Sequence, residues 1–490
     1  MYINNSHSIE VGQIFTPIKW AEWLVERWGI FDAWIDGASI CDPTAGQGAF
    51  ALALFRLARS RGVPVSPELL SRLTLIEVRA SHLQAFQHKA RRKFAIDFPT
   101  TQLLALDVIT DPPNTEYDIL FGNPPWANFT DLSDSYKERL KPYFLTEGLV
   151  PDKKQVLLGS SRTDIAALVL KIVLGNLLRK NGIGCFFLPL SLFSGDAHRG
   201  FRDYVASGRR FAVDEVCEFT ATEVFGGVGT SYCCARFRMD VLHKFPIRYF
   251  REREGGWIEH RAVPLKASDD QWRVLQRGDT TDLSAIKVEL SSDQKPRQGV
   301  NTCGTNAIFM FEDKPGYLPE EFLFPLATKE IWKNEDLAPH KWILLPYNRN
   351  TGRPLSWASI ERYAELRQYL IEVRGKLEGR RGTLIRSAIA KGVWWSLLGV
   401  GPYSFAPYKV IWEAYGKSDF HPVILNSEDG QMWQANQAMQ AFIPCRNEGD
   451  AERVCAALQH PGIPILLRQL NGEGKCNWAQ PGKIRKILSF

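Results

Sequence analysis

Nowhere do apolar residues run long enough to cross a membrane. The nearest approach, Leu168 to Leu178, is interrupted by Lys171 and Asn176 and followed by Arg179 and Lys180, so it reads as an amphipathic helix. Met1-Tyr2-Ile3-Asn4-Asn5 lacks the basic start and apolar block of a secretory signal. These absences lead to the expectation of a cytoplasmic protein with no membrane partner. The nine cysteines include no Cys-x-x-Cys pair, and Cys233 and Cys234 fall together in an expected strand. That pattern argues against a zinc site or a disulfide framework, so reduced thiols and no metal are expected. There is no internal repeat, no low-complexity linker, and no convincing acidic nuclease cluster with a nearby Glu-x-Lys. No further domain is expected ahead of Gly12. The net charge of +6 is modest: it permits a nucleic-acid partner without requiring one.

What is present is an ordinary globular composition, 45% hydrophobic and 23% charged, over 490 residues. That length accommodates two or three domains with substantial cores. Trp20, Ala21, Leu24 and Trp28 recur at helical spacing, with Thr16 as the expected cap and Pro17 in the first turn. From Ile40 to Met239 short apolar runs alternate with longer amphipathic ones. Strands are expected at 38–42, 73–77, 103–106, 117–121, 183–188, 212–218 and 231–238, and helices at 48–60, 79–92, 164–180 and 195–206. Such alternation predicts an α/β fold, a mostly parallel sheet covered by helices on both faces. The polar stretch between Ala127 and Arg162 reads as a mobile loop over a site or as a surface excursion. Beyond about residue 245 the alternation fades, which divides the chain into 1–245 and 246–490.

The most informative stretch is Asn123-Pro124-Pro125-Trp126, after the apolar run Tyr117 to Phe121 and Gly122. Two prolines stiffen the turn and remove two backbone donors. An Asn oxygen beside a rigid carbonyl makes a pair of acceptors for one amino group, and the tryptophan supplies a flat face for the ring that carries it. Upstream, Ile40-Cys41-Asp42-Pro43-Thr44-Ala45-Gly46-Gln47-Gly48-Ala49-Phe50 reads as strand, glycine turn and helix start, where free N–H groups meet a ligand. Two further strands end in acids, Glu77 and Asp107. An acid at such a place commonly accepts hydrogen bonds from ribose hydroxyls, although each taken singly is more often a cap or a solvated turn.

Taken in this order, the motifs resemble the bacterial DNA amino-methyltransferases of the gamma arrangement, in which cofactor segment and glycine loop precede the catalytic tetrapeptide and a target-recognition domain ends the chain. The resemblance covers nearly the whole sequence. It implies a Rossmann-like S-adenosylmethionine-dependent methyltransferase sheet in 1–245 and an α+β DNA target-recognition domain in 246–490. Gly12-Gln13-Ile14-Phe15-Thr16-Pro17 resembles the segment that contacts the methionine part of the cofactor. Asp42, Pro43, Gly46, Gly48 and Phe50 resemble the glycine loop, Glu77 the ribose acid, and Asp107 the acid near the adenine of the cofactor. Thr44 departs from the alanine of many relatives but is equally small. Asp164 is similar to a later acid that opens a helix. Glu223-Val224-Phe225-Gly226-Gly227-Val228 resembles the motif whose phenylalanine stacks on the target base, so Trp126 and Phe225 are expected to sandwich it. Asn123 at the first tetrapeptide position implies adenine rather than cytosine. The implied reaction is methylation of adenine N6 in double-stranded DNA on a flipped-out base, in a restriction-modification or other phage-defence setting.

The C-terminal half is looser. Gln298 to Asn306, then Ala307 to Phe311, reads as a turn feeding a strand; with Pro325-Leu326 and Lys341 to Tyr347 it resembles the opening of recognition domains. Arg374, Lys376, Arg380, Arg381, Arg386 and Lys391 crowd one expected helix, either a solvated basic face or a phosphate-contacting surface. Arg349, Arg353, Asn348 and Gln434 have chemistry suited to base edges. Trp394, Trp395, Tyr403 and Tyr408 read as core. Three rivals stand beside the main reading. One is a methyltransferase acting on RNA or protein glutamine, another a fused nuclease–methylase. The third is a subunit active only with a separate restriction nuclease or within a larger defence complex.

Overall fold

The computed structural model describes residues 14–150, 163–276, 278–279, 290–333, 337–415, 420–427, 432–437, 439–471 and 478–488. The chain divides into two compact units, Met1–Asp279 and Thr280–Phe490.

In the first unit, strands β1 (Ile40–Asp42), β2 (Leu73–Ile76), β3 (Leu103–Leu104), β4 (Tyr117–Gly122) and β5 (Leu178–Pro189) pair in parallel in the spatial order β3-β2-β1-β4-β5. β6 (Val205–Ala206) pairs only with β7 (Arg209–Glu218), and β8 (Tyr232–Met239) inserts antiparallel between β5 and β7. The sheet then continues through β9 (Ile247–Arg253), β10 (Gly256–Pro264) and β11 (Trp272–Leu275). The expected division at 245/246 thus falls inside the first unit, because β9 pairs in parallel with β7 and carries the hairpin β10–β11 with it.

Both faces of this sheet are buried, and the two-residue period of a strand sorts its side chains into two cores. On one face Ile40, Ile119, Phe121, Cys185, Phe187 and Cys234 pack under helices α1 (Ile18–Arg27), α2 (Ile30–Ile35), α3 (Ala49–Ser60), α4 (Pro67–Ser71) and α5 (Ala80–Phe94). On the other, Cys41, Leu120, Phe186, Leu188 and Cys233 pack against α6 (Asp134–Thr146) and α7 (Ile165–Leu177). The helices therefore lie on both faces, as the alternation predicted. The described part of the polar stretch after Ala127 is not a bare loop, since α6 inserts Leu140 and Phe144 into the second core and Leu149 and Val150 follow them; residues 151–162 lie outside the described residues. The helix expected over 195–206 is instead a run of 3-10 turns, Asp196–Asp203. There the buried Arg202 guanidinium donates to the Leu192 and Gly195 carbonyls.

The second unit is α+β, and its named strands all pair antiparallel, with two isolated parallel bridges, Val300 to Asn436 and Leu326 to Gln434, beside them. One sheet has the order β12 (Arg297–Gln298), β18 (Gln440–Cys445), β16 (Tyr408–Glu413), β17 (Val423–Asn426); the other joins β13 (Met310–Phe311), β15 (Trp342–Leu344) and β14 (Leu323–Pro325). Ala307 to Phe309, expected as strand, forms a helical turn, and pairing begins only at Met310. Trp394 and Trp395 are core residues, packed on Trp357.

Candidate active site

The chain runs from β1 outward to β2 and β3, then returns to the other side of β1 for β4. β1 and β4 therefore flank the point where strand order reverses, and ligands of such sheets bind outside the carboxyl ends there. Asp42 ends β1, and Asn123 follows β4 directly. Gly48 opens α3 at φ 76°, where a Cβ would stand 2.2 Å from the Phe86 ring. Gly122 has φ 157°, and a Cβ would lie 2.7 Å from Asp42 Oδ1. Both glycines are thus demanded by close approach. Phe15, Thr16, Asp42, Gly46, Phe50 and Asn123, from three separate motifs, line one cavity of about 170 Å³.

Asn123 is held in one orientation. Its Nδ2 donates to the Ile14 carbonyl and to Thr16 Oγ1, both at 3.1 Å. A carbonyl can only accept, so the amide nitrogen must face Ile14 and the amide oxygen must face away. That oxygen is buried with no hydrogen-bond partner among the described residues. Thr16 is consequently not a helix cap: Pro17 takes that place, and the threonine hydroxyl serves Asn123. Gly12 and Gln13 lie outside the described residues.

Asp42 is almost fully buried, with Oδ1 accepting from the Thr44 N–H at 3.1 Å and Oδ2 unpartnered. Burial pushes its carboxyl up to about 8, against the pull of the Thr44 N–H and with a smaller push from Glu77. Thr44 Oγ1 is likewise buried and unpartnered. Glu77 is tied to the glycine loop by accepting from the Gly46 N–H at 2.9 Å, and also accepts from Arg79 N–H at 3.1 Å. Pro43, Pro17 and Gly48 shape the turns beside the cavity without lining it. Asp107 lies apart: Oδ1 accepts from the Ile109 N–H and Oδ2 pairs with Arg139 at 2.8 Å, the arrangement of a capped turn.

Trp126 and Phe225 do meet, but edge to face, with ring centroids 5.1 Å apart. No slot for a base exists between them in this conformation; the expected sandwich is closed on itself because each ring fills the space the base would take. Tyr232 and Phe187 complete the cluster. The segment bearing Phe225 is anchored at its start, where Glu252 accepts from the N–H groups of Thr220, Ala221 and Thr222, and the Tyr232 hydroxyl accepts from Val224 N–H. Past Phe225 the glycines 226, 227 and 229 have open space around them. Asp164 caps α7 through Ala166 N–H at 2.8 Å and also accepts from Ala127 N–H, one residue beyond the tetrapeptide. Burial raises its carboxyl to about 7, against those two hydrogen bonds. The start of the helix thereby pins the backbone just past the tetrapeptide.

Sequence reasoning missed Gln47, Lys89 and Lys93, which line the cavity. A helical projection of α5 puts Lys89 and Lys93 on one face, but nothing in the sequence says that this face looks toward the glycine loop.

In the second unit the basic cluster spans two helices, α8 (Ala364–Glu378) and α9 (Thr383–Ala390), separated at Gly379 and Gly382. Arg380 is not a surface residue. It is buried, and its guanidinium donates to the carbonyls of Leu377, Trp394 and Thr302. Gln434 is buried too, donating to Ser404 and Met432 carbonyls, and so is unavailable for reading bases. Arg349, Arg353, Arg381 and Arg386 are exposed, Arg349 being held by the Glu321 carbonyl and the Phe324 ring.

The residues present fit S-adenosylmethionine. Three buried acceptors without partners, Asp42 Oδ2, Asn123 Oδ1 and Thr44 Oγ1, border or flank a glycine-lined cavity. Unpaired buried oxygens are costly unless a donor or cation arrives.

Sheet order, glycine turn and switch-point cavity define an α/β unit with the Rossmann-like fold of S-adenosylmethionine-dependent methyltransferases. The chain is similar to the type II methyltransferases M.HincII and M.HindII of Haemophilus influenzae, 23% identical to each over 229 residues. Those 229 residues are 47% of this chain but only 37% and 36% of the two relatives. Among solved structures it shares its fold with the Type IIL restriction-modification enzyme MmeI, determined in complex with DNA. The TM-score is 0.54 at 12% identity, over 88% of this chain and 60% of that one. No family model matches the chain.

Proposed function

We propose that this chain methylates the exocyclic N6 of adenine in double-stranded DNA, using S-adenosylmethionine, within a restriction-modification or related defence system. The observation that carries the reading is the fixed Asn123 amide, its oxygen unpaired at a cavity built from the glycine turn and the Phe15–Thr16 segment. Similarity to type II methyltransferases and the fold shared with MmeI agree with it.

The cofactor supplies a methyl group already activated on sulfonium, so no metal or covalent nucleophile is required of the protein. The amine is a poor nucleophile because its lone pair is delocalised into the ring. Accepting its two N–H groups at Asn123 Oδ1 and the Pro124 carbonyl favours a pyramidal, electron-richer nitrogen. With the cofactor bound, transfer would exchange its S–CH3 bond for the N–CH3 bond, and the proton displaced from the amine would pass to solvent. In-line positioning and fixed dipoles provide most of the acceleration. The base reaches the site by leaving the duplex. It stacks on Trp126 once Phe225 swings aside, a motion for which Gly226, Gly227 and Gly229 leave room. Unit 2 supplies target recognition, and a separate restriction nuclease or defence-complex subunit is the implied partner.

The test is transfer of labelled methyl to unmodified duplex DNA, structured RNA and a glutamine-bearing protein. Asn123→Ala should lower transfer to DNA by about a hundred- to a thousandfold, the scale on which loss of one fixed dipole acts elsewhere. Thr16→Val keeps the acceptor but loosens the segment that orients it, and should mainly weaken cofactor binding. Near-normal turnover in Asn123→Ala, or transfer confined to RNA or protein, overturns the reading.

A further inference from the structure

Lys89 and Lys93 stand one helical turn apart on α5 and line the same cavity as Asp42 and Asn123. Lys93 is exposed, in the last turn of α5, where a cation is favourable on dipole grounds alone. Lys89 lacks that explanation. It is partly buried, three residues past the buried Phe86, and its ammonium donates to the side-chain oxygen of Gln47 in the glycine turn. Neither lysine has a carboxylate partner among the described residues. Burial first, and the neighbouring Lys93 second, lower the Lys89 pKa, so the site as it stands disfavours its charge. Like charges at this spacing destabilise a helix modestly. A partly desolvated ammonium facing only a neutral amide oxygen has room for a stronger acceptor: it carries three donors and Gln47 takes one.

The cavity is thus electrically divided. Acceptors without partners, Asp42 Oδ2 and Asn123 Oδ1, suit a cationic or N–H-bearing group, while Lys89 suits an anion. The methionine tail of S-adenosylmethionine carries both signs, ammonium and sulfonium on the one hand and an α-carboxylate on the other. We infer that Lys89, supported by the field of Lys93, holds the cofactor's α-carboxylate and makes the site selective for cofactors that retain it. This rests on the methyl-transfer reading for the identity of the ligand; the role given to Lys89 is additional to it.

Calorimetric titration of the full chain with S-adenosylmethionine and with its decarboxylated analogue tests the inference without reference to turnover. The unsubstituted protein should prefer the carboxylated ligand by about tenfold or more, as a charge-assisted hydrogen bond provides. Lys89→Met should bring the two affinities to within about threefold by weakening S-adenosylmethionine alone, the analogue reporting that the pocket is intact. Lys89→Arg should keep most of the preference, and Lys93→Met should reduce it slightly and make it less salt-sensitive. A Lys89→Met protein that keeps its preference, or loses both ligands in parallel, overturns the assignment. Equal binding of both ligands to the unsubstituted protein overturns it while leaving the methyltransferase reading intact, whereas binding of neither overturns both.

Discussion

Asp42 shows how a residue can weaken the protein that contains it. Its folded pKa, about 8, lies far above that of a carboxyl in an unfolded chain. The folded state therefore holds a proton the unfolded state has lost, and the contribution of Asp42 to stability falls as pH rises from about 4 to about 8. Asp42→Asn removes this dependence. In urea titrations it should be more stable than the unsubstituted protein at pH 8 by on the order of 1–3 kcal/mol, with the gap closing toward pH 4. The same carboxyl must ionise when a cation arrives. S-adenosylmethionine affinity should therefore rise with pH and level off above about pH 8, with proton release visible as a buffer-dependent binding enthalpy. Asp42→Asn should bind weakly and flatten that profile. An unchanged profile removes Asp42 from the cofactor site. Arg380 is the opposite case, a buried charge whose work is internal: it donates to the Leu377, Trp394 and Thr302 carbonyls, the last of them shared with the Thr305 hydroxyl.

At the level of the element, the tetrapeptide turn owes its position to parts distant in sequence. Residues 14–16 orient the Asn123 amide, and the start of α7 holds the backbone just past Trp126. Asp164→Ala should cost about 1–2 kcal/mol through the lost cap. It should also lower turnover more than cofactor affinity, because Ala127 is released while the glycine turn is untouched; single-turnover kinetics beside calorimetry separates the two. The segment bearing Phe225 is firm where Glu252 collects three N–H groups; where its glycines follow, an added Cβ would meet open space, and the Gly227 N–H is held by Glu223 at 3.0 Å. Gly227→Ala, at φ 76°, is strained whatever space surrounds it. It should slow base entry, seen as reduced fluorescence gain from 2-aminopurine placed at the target position, while leaving cofactor affinity within about twofold. Normal base entry in this variant would show that Phe225 need not move.

For the molecule as a whole, the proposed function divides the labour between the two units. The first holds the cavity and the unpaired oxygens; the second carries exposed arginines on a small antiparallel core. Arg381→Ala and Arg386→Ala should weaken DNA binding uniformly across sequences, each lowering the slope of log affinity against log salt by about 1. Arg380→Ala should instead destabilise the second unit by about 1–3 kcal/mol, because it takes the guanidinium donor from the Trp394 carbonyl, whereas the Thr302 carbonyl keeps the Thr305 hydroxyl. If Arg380→Ala left stability intact while reducing the salt slope, the burial argument for it would fail.

The sequence by itself determined most of the strands that build the first unit up to Met239, and it supplied the motifs on which the proposed site rests. Apolar strand runs, turn glycines and a proline-stiffened corner are local in their physics, so β1 to β5, β7 and β8 fall close to where alternation put them. Only tertiary structure decided which polar groups are used up. Thr16, Asp107, Arg380 and Gln434 look chemically available in the sequence. Each is partnered in the fold: Thr16 by Asn123, Asp107 by Ile109 and Arg139, Arg380 and Gln434 by buried carbonyls. Lys89, silent in the sequence, faces the cavity because α5 packs Phe86 against Gly48 and turns that face toward the glycine loop. A hydrogen bond depends on distance and direction between groups far apart along the chain, which residue type and spacing cannot specify.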